Sequence, residues 1–141
     1  MMLKESINRI KYVYFCFIMG ITSFLPDLKL IMALRGMLLR PCFKKCGERL
    51  QIGSNVAILH SSEVSIGNDV YIAYGSWIEG SGEIDIADEV MLGPYTILSS
   101  SNHTKIDNSF RFGKDKIGKI VIKKGSWTGA HVVITAGVNI G

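Results

Sequence analysis

An aliphatic residue followed by a small or polar one recurs every six residues through most of this chain, and no other feature constrains its fold as tightly. Ile52-Gly53, Ile58, Val64, Ile66-Gly67, Ile72-Ala73, Ile78, Ile84, Ile86-Ala87, Leu92-Gly93 and Leu98 carry the pattern. It resumes at Ile122, Thr128-Gly129, Ile134 and Ile140-Gly141. A period of six fits neither the 3.6 of a helix nor the 2 of a simple strand. It fits a solenoid of triangular coils, each side a short strand with one inward residue and each corner a tight turn. The small residue after each aliphatic reads as the one that lets the backbone bend at the corner. The fold class is therefore mainly β, a parallel β-helix preceded by an N-terminal helical segment.

Superposing the chain on itself sharpens this. Ile66-Gly67-Asn68-Asp69-Val70-Tyr71-Ile72-Ala73 lies twenty residues before Ile86-Ala87-Asp88-Glu89-Val90-Met91-Leu92-Gly93 and twenty after Cys46-Gly47-Glu48-Arg49-Leu50-Gln51-Ile52-Gly53. Three hexapeptides make eighteen, so these coils carry two extra residues at one corner, near Ser62-Glu63 and Gly82-Glu83. The predicted interior ladders are Ile52, Ile72, Leu92 and Ile58, Ile78, Leu98. Each buried side chain is worth about 1.5–3 kcal/mol.

Charge is unevenly distributed. Residues 1–49 hold nine Lys/Arg and three Asp/Glu, residues 50–104 none and seven, residues 105–141 seven and two. No continuous basic stripe with interleaved aromatics exists, which excludes an ordinary nucleic-acid binder. Basic flanks suit anionic lipid at one end and a phosphate-bearing ligand at the other. Cys16, Cys42 and Cys46 form no metal or disulfide framework and read as small buried side chains in a reducing compartment.

Residues 1–45 are expected to be helical. Tyr12–Leu25 is uncharged but falls short of the ~20 residues that span a bilayer. Pro26-Asp27 ends it, and Leu28–Leu39 reads as a second helix stopped by Arg40-Pro41. Two readings stay open and compatible. The helices cover the open end of the solenoid, or they form an interfacial pair at a membrane surface with basic residues toward the headgroups. The expected location is cytoplasmic, peripheral at the inner face of the membrane.

The six-residue order breaks once, between His103 and Ile120. The insertion 104–119 must leave the prism as an external loop, and such loops often carry function. It is basic, with Lys105, Arg111, Lys114, Lys116 and Lys119, and Phe110 and Phe112 bracket Arg111. His103 stands at its root, where an imidazole can act as a general base near neutral pH. His60, His103 and His131 occupy different steps of their coils, so no metal site is expected.

The hexapeptide ladder, the His at the base of an excursion and the stretch Ile122-Lys-Lys-Gly-Ser-Trp-Thr-Gly-Ala-His-Val-Val-Ile-Thr-Ala-Gly-Val-Asn-Ile-Gly141 resemble the hexapeptide-repeat acyltransferases. The likeness is to the maltose and galactoside O-acetyltransferases and their relatives in bacterial surface-polysaccharide synthesis. It covers residues 46–141, and from Ile66 onward the spacing matches that branch without a gap. The resemblance implies left-handed coils, a homotrimer, an active site between adjacent prisms and acetyl-CoA as co-substrate. It makes His103 the general base and Asp115 the carboxylate that orients it. It places the cofactor's pantetheine arm and acetyl group at Gly129 and Ala130, beside Trp127.

Two departures accompany it. Where the sugar acetyltransferases present an asparagine and an aspartate to the acceptor, this chain has Ala73 and Ser81. Tyr74, Trp77, Glu79, Ser81 and Asn102 are therefore the expected acceptor contacts, with aromatic rings as sugar platforms. The chain also stops on the first two residues of a hexapeptide, so the domain is expected to be truncated at its C-terminus. The expected activity is O-acetylation of a sugar hydroxyl in surface polysaccharide (O-antigen, capsule or exopolysaccharide), with a glycan or sugar nucleotide as acceptor and no nucleic-acid partner. Alternatives are N-acetylation of a nucleotide-linked amino sugar, acetylation of a small molecule such as serine or an antibiotic, and a non-catalytic β-helix scaffold.

Overall fold

Stacked aliphatics hold the centre of the molecule together, in a computed structural model that describes residues 2–141 and their side chains from Glu5 onward. The first face of the prism is built from β1 (Lys45–Cys46), β4 (Val64–Ile66), β7 (Ile84–Ile86), β12 (Ile120–Ile122) and β14 (Asn139–Ile140). The second comprises β2 (Gln51–Ile52), β5 (Tyr71–Ile72) and β8 (Met91–Leu92), with Trp127 bridged in parallel to Met91 above them. The third comprises β3 (Ala57–Leu59), β6 (Trp77–Glu79), β9 (Ile97–Ser99) and β13 (Val133–Thr135). Every pairing within these faces is parallel.

Register follows the sequence ladders. Ile58 pairs with Ile78, Ile78 with Leu98 and Leu98 with Ile134, and all four point inward and are buried. Alternate residues of the same strands, Trp77, Ile97 and Val133, are in register on the outside and exposed. The expected extra corner residues are present as a 3-10 turn at Ser61–Glu63 and a left-handed residue at Glu83.

The corners bend differently from the sequence-based reading. Positive φ falls on Arg49, Asp69 and Glu89 at one corner, Asn55, Gly75, Tyr95 and His131 at the next, and His60 and Glu83 at the third. The small residues after the aliphatics serve another purpose, because they lie where successive coils touch. A Cβ on Gly47 would sit 2.5 Å from the Gly67 carbonyl carbon, and one on Gly53 would sit 2.6 Å from the Tyr74 amide nitrogen. Smallness sets the spacing between coils, and a left-handed residue makes the turn.

The N-terminal helices α1 (Met2–Thr22) and α2 (Lys29–Leu39) close the first coil. α1 begins well before the uncharged run, with Glu5 and Arg9 on its exposed surface. Phe15, Ile18, Met19 and Leu39 join one core with the coil interiors. α2 lies so close to the coil that a Cβ on Gly36 would fall on the Leu50 carbonyl.

Arg35 is one basic residue of this segment that does not face outward. It is fully buried. Nη1 bonds Asp27 Oδ1 at 2.5 Å and the Ile52 carbonyl at 3.3 Å, Nη2 the carbonyls of Thr22 and Leu25, and Nε the Thr22 hydroxyl. A guanidinium has five N–H donors, and here each has an acceptor. Asp27 also accepts from the backbone N–H and hydroxyl of Ser54. The last residue of α1 and the turn after it supply the Thr22 and Leu25 carbonyls, and the arginine gathers them onto the first coil.

Candidate active site

The insertion leaves the third face as an antiparallel hairpin, β10 (Ser101–His103) against β11 (Asp115–Ile117), with His103 directly opposite Asp115. Beyond them Thr104 N–H donates to the Lys114 carbonyl at 3.3 Å. The tip is a two-residue turn, closed by reciprocal Ile106–Ser109 hydrogen bonds with Asp107 and Asn108 both at positive φ. Asp and Asn suit that mirror-image turn because they tolerate the left-handed region. The cue was present in the sequence, but the flanking residues lack the alternation that would have marked a hairpin.

His103 Nδ1 lies 2.7 Å from Asp115 Oδ1, and both side chains are exposed, at 74% and 52%. With the carboxylate accepting from Nδ1–H, Nε2 is left with its lone pair available, the arrangement of a positioned base. A cleft of about 450 Å³ surrounds the pair, lined by His103, Phe110, Arg111, Gly113 and Asp115. The loop's cations are not equivalent: Lys119 binds Asp85 at 2.5 Å and Glu83 at 3.6 Å, and Lys105 stands over the Phe110 ring. Arg111 faces the cleft.

Glu79 fixes the root of this hairpin. It is 7% exposed, yet both oxygens are engaged: Oε1 by Ser81 N–H (2.8 Å) and His60 Nδ1 (3.1 Å), Oε2 by the Ser101 hydroxyl (3.0 Å). The Ser100 hydroxyl meanwhile donates to the Glu79 carbonyl and accepts from Gly82 N–H. Burial pushes the Glu79 carboxyl up, but the Ser81 and Ser101 hydrogen bonds and the neighbouring His60 outweigh it and hold it below the usual range.

The other expected site residues fall into separate groups. Ser81 adjoins Glu79, and Asn102 is exposed on β10 opposite Lys116. Trp77 is on the outer surface of the third face. Tyr74 sits at the corner before that face, accepting from the Asn55 amide at 2.7 Å and meeting Tyr95 edge-on, while Tyr95 stacks on His131. Trp127, 72% exposed, lies near this corner with Gly129 and Ala130. The loop carrying them is anchored by Thr128, whose buried hydroxyl accepts from Gly93 N–H and bonds the Thr96 hydroxyl. Within one chain Trp127 extends the second face beside Met91, whereas His103 stands on the hairpin that leaves the third.

Sequence reasoning missed one cavity. About 410 Å³ lies between α1 and the corner after β3, lined by Asn8, Arg9, Tyr12, His60 and Ser61 among others. A neighbouring cavity of about 590 Å³ continues past Ser81 and Gly82 to Ile117 of β11. His60 carried no motif, and only the 3-D meeting of helix and coil marks it.

No protein-family model matches the chain. A galactoside O-acetyltransferase of Escherichia coli (strain K12) is 29% identical over 107 residues, 76% of this chain and 53% of that protein. The chain thus spans about half the length of that curated relative. Among solved structures, a hexapeptide-repeat acetyltransferase from Vibrio cholerae in complex with acetyl-CoA superposes with a TM-score of 0.78 at 22% identity, covering 94% of this chain and 70% of that one. A galactoside acetyltransferase in complex with coenzyme A gives 0.71 at 22%, covering 95% and 66%. A maltose O-acetyltransferase from Clostridium difficile 630 gives 0.70 at 19%, covering 94% and 70%.

Proposed function

We propose that the chain transfers acetyl from acetyl-CoA to a sugar hydroxyl in bacterial surface polysaccharide or its precursor, a reading supported by its likeness in fold to hexapeptide-repeat acetyltransferases and in sequence to a galactoside O-acetyltransferase. The observation that carries this reading is the His103–Asp115 pair on the hairpin. Asp115 holds the imidazole through Nδ1, and Nε2 takes the proton from the acceptor hydroxyl as its oxygen attacks the thioester carbonyl. The tetrahedral oxyanion collapses, the C–S bond breaks, and the thiolate of CoA recovers the proton from the imidazolium. No covalent enzyme intermediate is required. In this reading backbone N–H groups around Gly129 and Ala130 hold the thioester, Trp127 packs on the pantetheine arm and Arg111 meets phosphate.

The separation of His103 from Trp127 supports a homotrimer. A neighbouring copy set against the exposed Trp77, Ile97 and Val133 column would bring one chain's base to the other's cofactor loop. The cavity past Ser81 and His60 is the place for the acceptor, with Tyr12 and Asn8 as contacts.

The test is thiol release from acetyl-CoA by the purified chain with a panel of sugars and sugar nucleotides, beside His103→Ala. Acceptor-stimulated release that the variant lacks supports the reading. Equal release by both proteins, or none with CoA bound to neither, overturns it.

A further inference from the structure

The cap of the solenoid carries an apolar surface that the proposed reaction does not use. On α1, Ile7, Ile10, Val13, Tyr14, Phe17 and Ile21 are exposed along one side, opposite the buried Phe15, Ile18, Met19 and Thr22. The surface continues through Phe24, 79% exposed, and Leu28, then along α2 through Leu30, also 79% exposed, Leu34 and Met37. The Tyr14 hydroxyl bonds the Leu38 carbonyl, so the two helices lie side by side. Ile10, Val13, Tyr14 and Phe17 line a shallow groove with Arg9 at its rim.

Charge around this surface has one sign. Between Ser6 and Gly47 the sole acidic residue is Asp27, and it is neutralised by the buried Arg35. Arg9 at the groove rim and Lys29 between Leu28 and Leu30 are exposed beside it. Among the described residues no helix is long and apolar enough to cross a membrane.

We propose that this face is a docking surface for an anionic lipid bilayer, on which α1 and α2 lie flat with their apolar side chains among the acyl chains and their cations at the headgroups. A second copy of the chain fits less well. A helix partner would cover the narrow seam of Ile7, Ile10, Tyr14, Phe17 and Ile21, leaving Val13, Leu28, Leu30 and Met37 in water. Two such faces would also set like charges against each other. A plane covers all of these residues, and an anionic one complements the cations.

Co-sedimentation with vesicles tests this, using the full chain and about three parts phosphatidylcholine to one part phosphatidylglycerol. The chain is expected to pellet with these vesicles at low salt. The bound fraction should fall severalfold with phosphatidylcholine alone or in about 0.5 M salt. Phe17→Asp/Phe24→Asp should lose binding at least tenfold, with unchanged circular dichroism and unchanged mass by light scattering. Arg9→Glu/Lys29→Glu, which leaves the apolar side chains in place, should weaken binding to the anionic vesicles alone. The proposal is overturned if the wild type stays in the supernatant with both vesicles or if the Phe variant binds as well as wild type. It is also overturned if that variant lowers the oligomeric mass, since the face would then join copies. Binding is read without acetyl transfer, so the outcome is independent of the proposed reaction.

Discussion

His103 and Asp115 face each other across a two-stranded ladder, with Nδ1 and Oδ1 2.7 Å apart and eleven residues of chain looping out between them. The ladder aims the imidazole, and the carboxylate settles which nitrogen keeps its lone pair. His103→Ala is expected to lower kcat by roughly 10²–10⁴-fold with KM for acetyl-CoA little changed, the usual scale for a positioned base. Asp115→Asn can donate its amide N–H to Nδ1 and leave the proton on Nε2, so a loss of up to about 10⁴-fold is expected from the wrong tautomer. Steady-state kinetics on the two variants, with circular dichroism as a fold control, checks both.

Glu79 ties the pH dependence of stability to the root of the same hairpin. Its carboxyl is held below the usual range in the folded state, so the ionised form stabilises the fold. That contribution is fully present above the unfolded value of about 4.3 and is lost as pH falls through the lower folded value. Glu79→Gln is expected to cost about 1.5–3 kcal/mol near neutrality, since an amide cannot accept at both ends. Urea titrations from pH 7 down to about 3 should show the gap to wild type closing on acidification; a constant gap would contradict the assignment.

Gly93 couples the coil spacing to the loop proposed to hold the cofactor. A Cβ there would stand 2.6 Å from the Thr128 carbonyl oxygen and 2.7 Å from that of Gly129. Gly93→Ala should therefore push this loop outward, raising KM for acetyl-CoA by about tenfold, equivalent to about 1.4 kcal/mol, with kcat less affected. A change confined to kcat would place the cofactor elsewhere.

Arg35→Met should destabilise the fold by about 3 kcal/mol, because it strands Asp27 and the carbonyls of Thr22, Leu25 and Ile52. The figure sits at the low end for a broken buried pair, since the Asp27 side chain is 26% exposed. Adding Asp27→Asn should recover part of the loss, and a double-mutant cycle by urea denaturation measures the coupling.

How much of this was legible in the chain itself depends on where each residue's partners lie. Ile58, Ile78 and Leu98 announce themselves because their partners are one another, repeated at a fixed period. His103 was visible because the period stops there. Glu79 read only as an acceptor contact, since its partners come from coils on either side, His60 nineteen residues before and Ser101 twenty-two after. Arg35 sits in a helix that read as apolar, and nothing local reveals that its acceptors are the last residue of α1, the turn after it and the first coil. The corner glycines were picked out correctly and explained by the wrong cause, because contact between coils leaves no trace in a single repeat.

A stack of near-identical coils has no natural zero. Shift one coil along by a repeat and the aliphatic ladder reads the same, so the ladder alone cannot say which coil comes first or how many belong. Arg35 supplies that origin. Its five acceptors, with Ile52 among them, occur together at a single place on the chain, so only one coil can take the bottom position. Every later coil is counted from there, including the one that delivers His103 to the edge of the prism.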